Sequence, residues 1–190
     1  MCGCITPSPL NVLGQQNSKA KMHDIPGIEI VPLSADRLEE TRSFLRELLL
    51  QEFMMVARLK EMDDLSQSYH NGRGCFWIAV DNAHQRVIGC VGLLDVGGDR
   101  GYLKRMYIHA EYRSIGLGKR LLLQLLDHAQ AHGMREVYLA TDYTMEEAQK
   151  FYVHHGFRRI EQLPPDLDPF GDPIFYVKTV SPALETSPYS

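Results

Sequence analysis

Cysteine, long apolar runs and excess positive charge are all scarce in this sequence of 190 residues. Its four cysteines have no metal-like spacing with the histidines, and Cys75 and Cys90 lie in strand-like sequence typical of buried thiols in a reducing compartment. The net charge of -4 provides no basic field for nucleic acid or an anionic membrane. We therefore expect a cytoplasmic protein that binds neither nucleic acid nor a metal ion.

The sequence also predicts neither a membrane-spanning segment nor a secretory signal. The most apolar helical stretch, FLRELLLQEF, carries a charge about every turn, whereas a spanning helix needs about 20 mostly apolar residues. The first residues lack a basic stretch followed by an apolar core, so no signal peptide is predicted. Residues 1–25 are predicted to be a disordered leader and residues 181–190 a flexible tail. Acylation of Cys2 and Cys4 is the alternative for the leader.

Residues 26–180 are predicted to form one domain of mixed α/β class. Apolar alternation and β-branched residues predict strands in GIEIVPL, CFWIAVD, RVIGCVGLLDV, GYLKRMYIH, REVYLAT, FRRIEQL and PIFYVKTV. Helical spacing predicts one helix capped by the Ser34 hydroxyl, one that ends at Gly133 and a short one that ends at Gly156. The order implies a βαβ crossover between YLKRMYIH and EVYLAT.

The fourth predicted strand runs into a helix through two glycines, Gly116 and Gly118, in the stretch MYIHAEYRSIGLGKRLLLQLL. The first amide groups of a helix have no acceptor within it, and with the helix dipole they form an anion site. Glycines allow a phosphate to approach the backbone, while Arg113 adds a charged fork and Lys119 a point charge. The junction therefore predicts a ligand that carries phosphates.

Two familiar phosphate sites do not fit this junction. A nucleotide P-loop needs serine or threonine after its lysine, and here Lys119 is followed by Arg120. A dinucleotide fingerprint needs a third glycine three residues after the second, and that position is Leu121. A tight turn beside a solvated basic pair is the remaining alternative, and it leaves the paired glycines unexplained.

The sequence resembles the GNAT acetyltransferase superfamily. R-S-I-G-L-G, residues Arg113 to Gly118, is similar to the signature R/Q-x-x-G-x-G/A that holds the pyrophosphate of acetyl-CoA in that family. The later stretch EEAQKFYVHHGF is similar to the family's second region. The element order matches over about 150 residues, with the closest matches between Leu103 and Phe157.

The resemblance implies a mostly antiparallel central sheet flanked by helices and splayed between its fourth and fifth strands. It also implies that backbone groups of the fourth strand pair with the pantetheine arm and that one amide polarises the thioester. The cofactor-binding residues implied, together with the junction, are Met106, Tyr107, Ile108, Arg113, Ser114, Ile115, Gly116, Leu117, Gly118 and Lys119. The family's habit of dimerising leaves a homodimer as an open expectation.

Tyr152 lies where the family keeps a tyrosine thought to protonate the departing thiolate. Two positions depart from the family pattern, since Met145 stands in place of a common asparagine and Tyr102 in place of the glutamate that activates the amine. No general base is therefore implied. The candidates by proximity to strand ends are Asp95, Glu111 and Asp142, although the sequence around each favours a surface or turn residue.

The acceptor is expected to be a primary amine of a small molecule, attacking acetyl-CoA directly. The loop LPPDLDPFGDP could favour a cationic amine through three carboxylates, or could simply be a turn, and the segment QEFMMVARL could shape an apolar pocket or pack the core. The alternatives are acetylation of a protein N-terminus or lysine, and a CoA-binding sensor without catalysis. The three carboxylates are those of Asp166, Asp168 and Asp172.

Overall fold

The computed structural model of this protein describes residues 25–51, 65–167 and 173–180. The predicted tail and all but the last residue of the predicted leader lie outside these ranges. So do Asp168, Asp172 and nearly all of the segment QEFMMVARL. The predictions made for those segments, and for the limits of the domain, stay predictions.

A seven-stranded mixed sheet forms the centre of the molecule, in the order β1-β2-β3-β4-β5-β7-β6. Neighbouring strands are antiparallel except for the parallel pair β4 and β5. This confirms the mostly antiparallel sheet and the crossover between its fourth and fifth strands. The strands are β1 Ile28–Pro32, β2 Cys75–Asp81, β3 Arg86–Asp95, β4 Arg100–Ile108, β5 Glu136–Asp142, β6 Arg158–Ile160 and β7 Pro173–Thr179.

Four helices are described, two on each face of the sheet: α1 Leu38–Gln51, α2 Leu65–Ser68, α3 Leu117–Ala131 and α4 Glu146–His154. Helix α3 buries Leu121, Leu122 and Leu125 completely against one face, because residues three and four apart lie on one side of a helix. Helix α1 buries Leu45 and Leu49 against the other face. Each such leucine stabilises the fold by about 1.5–3 kcal/mol. The two helices thus fix the sheet from both sides.

Strands β4 and β5 are paired only at their first halves. The parallel register joins Arg100–Leu103 to Glu136–Leu139 and ends there, which confirms the predicted splay. On its other side β4 carries a β-bulge, since two of its residues lie opposite one residue of β3 between the pairs Cys90–Tyr107 and Gly92–Lys104. Arg105, within the bulge, has a φ of 56°. The bulge lies just after the last β4–β5 pair, Leu103–Leu139, and a bulge increases the local twist of the strand that carries it.

The entry to α1 differs from the prediction. Ser34 precedes a short 3-10 turn, Ala35–Arg37, and its side chain makes no capping hydrogen bond to the backbone. The hydroxyl instead bonds to Asp36, and this bond is the main cause of a lowered pKa of that carboxyl. The predicted cap was wrong because the chain enters the helix through a tighter turn, which moves the first free amides away from Ser34.

Within the described ranges, no helix is both long and apolar enough to span a membrane.

Candidate functional site

The turn between β4 and α3 has an unusual backbone conformation. Ser114 has a φ of 66° and Gly116 a φ of 88°, both in the left-handed region. Helix α3 begins directly afterwards at Leu117, and Gly116 is its N-cap. The first-turn amides of the helix therefore point along its axis into solvent beside an exposed turn. This arrangement supports the anion site that the sequence predicts.

Glycine is required at the two positions of the turn for different structural reasons. A Cβ on Gly116 would meet nothing within 4 Å, so the positive φ alone requires glycine there. A Cβ on Gly118 would lie 3.3 Å from Cδ1 of Ile108 and 3.5 Å from the ring of Phe151. Gly118 thus lets α3 approach the end of β4 and the side of α4. Gly116 thus sets the backbone conformation of the turn, and Gly118 keeps the start of α3 close to the end of β4.

The other members of the predicted turn divide between the surface and the core. Arg113, Ile115 and Lys119 are exposed, whereas the side chain of Leu117 is buried in the core under α3. Only the backbone of Leu117 can therefore contact a ligand. The Arg113 Nε donates to the carbonyl oxygen of Ile108 at 3.0 Å, which holds the guanidinium beside the end of β4.

A cavity of about 820 Å³ extends from this turn to the hydroxyl-bearing end of Tyr152. It lies between the diverging end of β4 and helix α4. Six of the predicted site residues line it, namely Met106, Tyr107, Ile108, Arg113, Gly118 and Tyr152. Its remaining wall comes from Phe151 and from the segment Thr144–Ala148, which the sequence analysis did not assign to the site except for Met145.

A smaller cavity of about 80 Å³ occupies the vertex of the splay, beyond Tyr152. Leu103 and Ala140 lie where the two strands part, and Thr141 and Asp142 follow on β5. The two cavities share Met106, Tyr107, Met145, Ala148 and Tyr152 as lining residues, so they adjoin along this wall. The side chain of Tyr152 therefore stands at the junction of a long channel and a narrow end pocket.

Tyr152 is 7% exposed, and its hydroxyl lies 3.7 Å from the sulfur of Met106. Burial, with a smaller contribution from Tyr107, raises its pKa above the ordinary value for a phenol. The side chain is therefore protonated at neutral pH and can donate. A thioether is a weak acceptor, so a developing thiolate in the same cavity would be the stronger partner. Burial also raises the pKa of a thiol, so a thiolate formed in this cavity is a stronger base than it is in water.

Two of the three candidate bases are occupied in ion pairs elsewhere. Asp95 accepts from Arg73 at 3.0 Å, and this contact lowers its pKa to about 2. Glu111 accepts from Arg86 at 3.0 Å. Neither residue lines either cavity. Asp142 does line the small cavity, and its Oδ1 accepts from the backbone and the hydroxyl of Thr144.

The two positions that depart from the family pattern also have defined surroundings. Tyr102 is buried in a small core with Tyr138 and Val177, so it contributes packing and no charge. Met145 lines both cavities and accepts a weak hydrogen bond from the Thr141 hydroxyl at 3.6 Å. A thioether therefore stands where an amide side chain would offer a donor and an acceptor.

In the loop LPPDLDPFGDP, Asp166 forms a double hydrogen bond with Arg100 at 2.8 and 3.0 Å.

Comparison with known proteins decides the family. Residues 42–157 match the model of the acetyltransferase (GNAT) family, a range that includes the splay, the turn and Tyr152. This chain belongs to the GNAT family. Within the described part of the chain, no group of three or more His, Cys, Asp or Glu residues could hold a metal ion.

Several known proteins are similar to this GNAT chain. Human N-acetyltransferase 8 is 31% identical over 117 residues, which are 58% of this chain and 51% of that protein. N-acetylaspartate synthetase of Xenopus tropicalis is 29% identical over 117 residues, which are 60% of this chain and 42% of that protein. This chain therefore spans about half the length of these relatives. A GNAT acetyltransferase structure from Staphylococcus aureus superposes with a TM-score of 0.75 at 27% identity, over 81% of this chain and 99% of that one.

Proposed function

We propose that this protein transfers the acetyl group of acetyl-CoA to a primary amine of a small molecule. The observation that carries the proposal is the continuous channel of about 820 Å³ between the turn at Gly118 and the buried side chain of Tyr152. Its two ends have the chemistry that the diphosphate and the thioester of acetyl-CoA require. The turn offers donors for a diphosphate, and the tyrosine offers a proton beside the thioester.

The residues present fit acetyl-CoA as a cosubstrate. Left-handed conformations at Ser114 and Gly116 expose consecutive backbone amides at the start of α3, a concavity suited to phosphate oxygens. Arg113 and Lys119 place positive charge at the same exposed turn. Because the β4–β5 pairing ends at Leu103, the later part of β4 can present backbone groups to the pantetheine arm. Acetyl-CoA supplies the acetyl group as an activated thioester.

Tyr152 acts as the general acid in this proposal. A backbone amide among Met106, Tyr107 and Ile108 stabilises charge on the carbonyl oxygen while the amine nitrogen attacks the carbonyl carbon. The new C–N bond forms as the C–S bond breaks, and the Tyr152 hydroxyl gives its proton to the departing sulfur. The attacking nitrogen loses one proton to solvent, and solvent returns a proton to the Tyr152 phenolate. Such help from a positioned acid contributes roughly 10²–10⁴ in rate. The buried, protonated state of Tyr152 supports this role.

The narrow end pocket favours a small acceptor. Its volume is about 80 Å³, and its walls come from the two diverging strands and from α4. A pocket of that size accommodates the amine and its nearest atoms but no folded segment. The relative named N-acetylaspartate synthetase carries the name of a small acetylated product, which supports the same choice. Asp166 is paired with Arg100 and lines neither cavity, so it adds no selectivity for a cationic amine.

Release of free thiol from acetyl-CoA across a panel of amines tests the proposal. The panel contains amino acids, polyamines, arylalkylamines, and peptides with a free N-terminus or a lysine. We expect turnover with at least one small amine and a slower or absent reaction with the peptides. Preferred turnover of peptides would replace the acceptor class with proteins. Stabilisation by acetyl-CoA without thiol release over the whole panel would instead support a CoA sensor and contradict the enzyme.

Acetyl-CoA should also raise the melting temperature. A ligand at 100 times its dissociation constant stabilises a protein by about 2.7 kcal/mol. For a chain of this size this corresponds to a shift of roughly 5–10 °C. The Tyr152→Phe variant keeps the diphosphate site and should show the same shift.

A further inference from the structure

The turn at Ser114 and Gly116 is preceded by a segment that is tied to the β2–β3 hairpin. Tyr112 donates its hydroxyl hydrogen bond to the carboxylate of Asp81, at the end of β2. Arg86, at the start of β3, donates to the Tyr112 hydroxyl at 3.1 Å, and its guanidinium lies 5.4 Å from the centre of the tyrosine ring. We name Asp81, Arg86 and Tyr112 the hairpin brace. Tyr112 is thus held by a carboxylate, a guanidinium donor and a cation–π contact.

The surroundings of Asp81 make its carboxylate a strong hydrogen-bond acceptor. It is 6% exposed, and its Oδ1 accepts from the backbone amides of Ala83 and His84. Its Oδ2 contacts Nδ1 of His84 at 2.7 Å as well as the Tyr112 hydroxyl. These bonds, the one from Tyr112 first, hold the pKa of Asp81 well below its usual range. Hydrogen bonds to an ionised group are stronger than those between neutral groups, so the tie to Tyr112 is among the stronger contacts of this segment.

Arg86 adds a second attachment of the same segment. It donates to the Glu111 carboxylate at 3.0 Å, so the two residues before Arg113 and the hairpin share one guanidinium. The segment is also fixed at its base, where the His109 amide donates to the Ile88 carbonyl at 2.9 Å. The brace therefore immobilises the chain up to the residue before Arg113, and the diphosphate turn begins immediately after it.

The immobilised segment ends just before Ser114, whose backbone conformation is strained. Its φ of 66° lies in the left-handed region, which a residue with a Cβ adopts only at a cost in free energy. Such strain persists only where the surrounding structure determines the backbone. Ser114 is exposed, so its own side chain does not hold this conformation. The backbone is held on both sides: after Ser114 by the buried Leu117 and the hydrogen bond from the Arg120 amide to the Gly116 carbonyl, and before it by the brace. The brace is the part of this constraint that a side-chain substitution can release.

We propose that the hairpin brace positions the diphosphate turn, by holding Ser114 in the left-handed conformation that exposes the amides at the start of α3. This inference rests on the proposed function, because it assumes that the turn binds the diphosphate of acetyl-CoA. The brace residues contact no substrate. They pre-organise the site, and without them binding must supply the free energy that keeps Ser114 strained.

The test is the dissociation constant of acetyl-CoA, measured by calorimetry on the full chain. Tyr112→Phe removes the hydroxyl and should weaken binding about tenfold, because binding must then supply the free energy that keeps Ser114 in its left-handed conformation. Adding Ser114→Gly to Tyr112→Phe should restore most of the affinity, because glycine adopts a positive φ without strain. A merely structural role of Tyr112 would not be rescued by glycine at position 114.

Tyr138→Phe is the matched control. It removes a tyrosine hydroxyl that donates to a carboxylate, that of Glu136, at 2.6 Å on β5, and it should leave the affinity unchanged. If Tyr112→Phe fails to fold, Arg86→Gln, which alters a side chain 46% exposed, should weaken binding by several-fold instead. Unchanged affinity in these brace variants, or a loss that Ser114→Gly does not restore, overturns the inference. Absence of acetyl-CoA binding to the unmodified protein would instead refute the proposed function.

Discussion

Replacing Gly116 by alanine separates the conformational requirement of the turn from its packing. Gly116 has a φ of 88°, and a Cβ there would meet nothing within 4 Å. The substitution thus creates no clash and acts through the backbone alone. An L-residue in the left-handed region costs about 1–2 kcal/mol. On a protein of this size, that cost lowers the melting temperature by about 2–8 °C where the turn keeps its conformation.

The same substitution should weaken acetyl-CoA binding. The cost of about 1–2 kcal/mol divides between the two measurements, because strain that the free variant relieves by relaxing the turn is not lost from stability but must be restored on binding. Complete relaxation of the exposed turn corresponds to an affinity reduced about 5- to 30-fold, with the melting temperature then almost unchanged. Calorimetric titration of acetyl-CoA measures the reduction, and a thermal melt without ligand measures the loss of stability.

Gly133→Ala provides a matched control at the other end of α3. Gly133 has a φ of 74°, and a Cβ there would likewise meet nothing within 4 Å. Its substitution should lower the melting temperature at least as much as Gly116→Ala but leave acetyl-CoA binding unchanged. Equal losses of affinity in both variants would refute the reasoning, since binding would then report global stability. Full affinity in Gly116→Ala together with an unchanged melting temperature would refute it as well.

Two further predictions concern catalysis and pH. Tyr152→Phe should lower kcat by roughly 10²–10⁴ with a good amine while the KM for acetyl-CoA stays within a few-fold, measured by thiol release; unchanged turnover would remove Tyr152 from the mechanism. The folded-state pKa of Asp95 is about 2, below its unfolded value of 3.8, so its pairing with Arg73 stabilises the fold above about pH 4 and this contribution is lost as the pH falls towards 2. Asp95→Asn should therefore cost about 2 kcal/mol of unfolding free energy at pH 7 and almost nothing near pH 2, by urea denaturation; an equal difference at both pH values would contradict the ion-pair assignment.

The secondary structure was predictable where the residues that recur at helical or strand spacing are also the ones that the tertiary fold buries. The leucines of α3 recur at helical spacing, and the same leucines fill the core, so the helix and its end at Gly133 followed from the sequence. The hairpin of β2 and β3 followed from two β-rich runs around a short polar turn. The four-residue helix α2 and the 3-10 turn after Ser34 did not follow, because so short a segment has no readable period.

The site was predictable in part for the same reason. The turn from Arg113 to Lys119 is contiguous in sequence, so its glycines and charges were visible together. The hairpin brace joins residues about 26 to 31 positions apart, and a single sequence carries no signal for such a contact. The bulge at Arg105 depends on the register between β3 and β4, which periodicity alone does not determine. The pairing of Asp95 with Arg73 likewise removed a candidate base that strand position alone had suggested.

A diffraction map of crystals grown with acetyl-CoA tests the central claim most directly. The account predicts diphosphate density within hydrogen-bonding distance of the backbone amides between Gly116 and Lys119, and the thioester sulfur beside the Tyr152 hydroxyl. Density for the diphosphate at any other place on the protein, with this turn contacting only solvent, would contradict it.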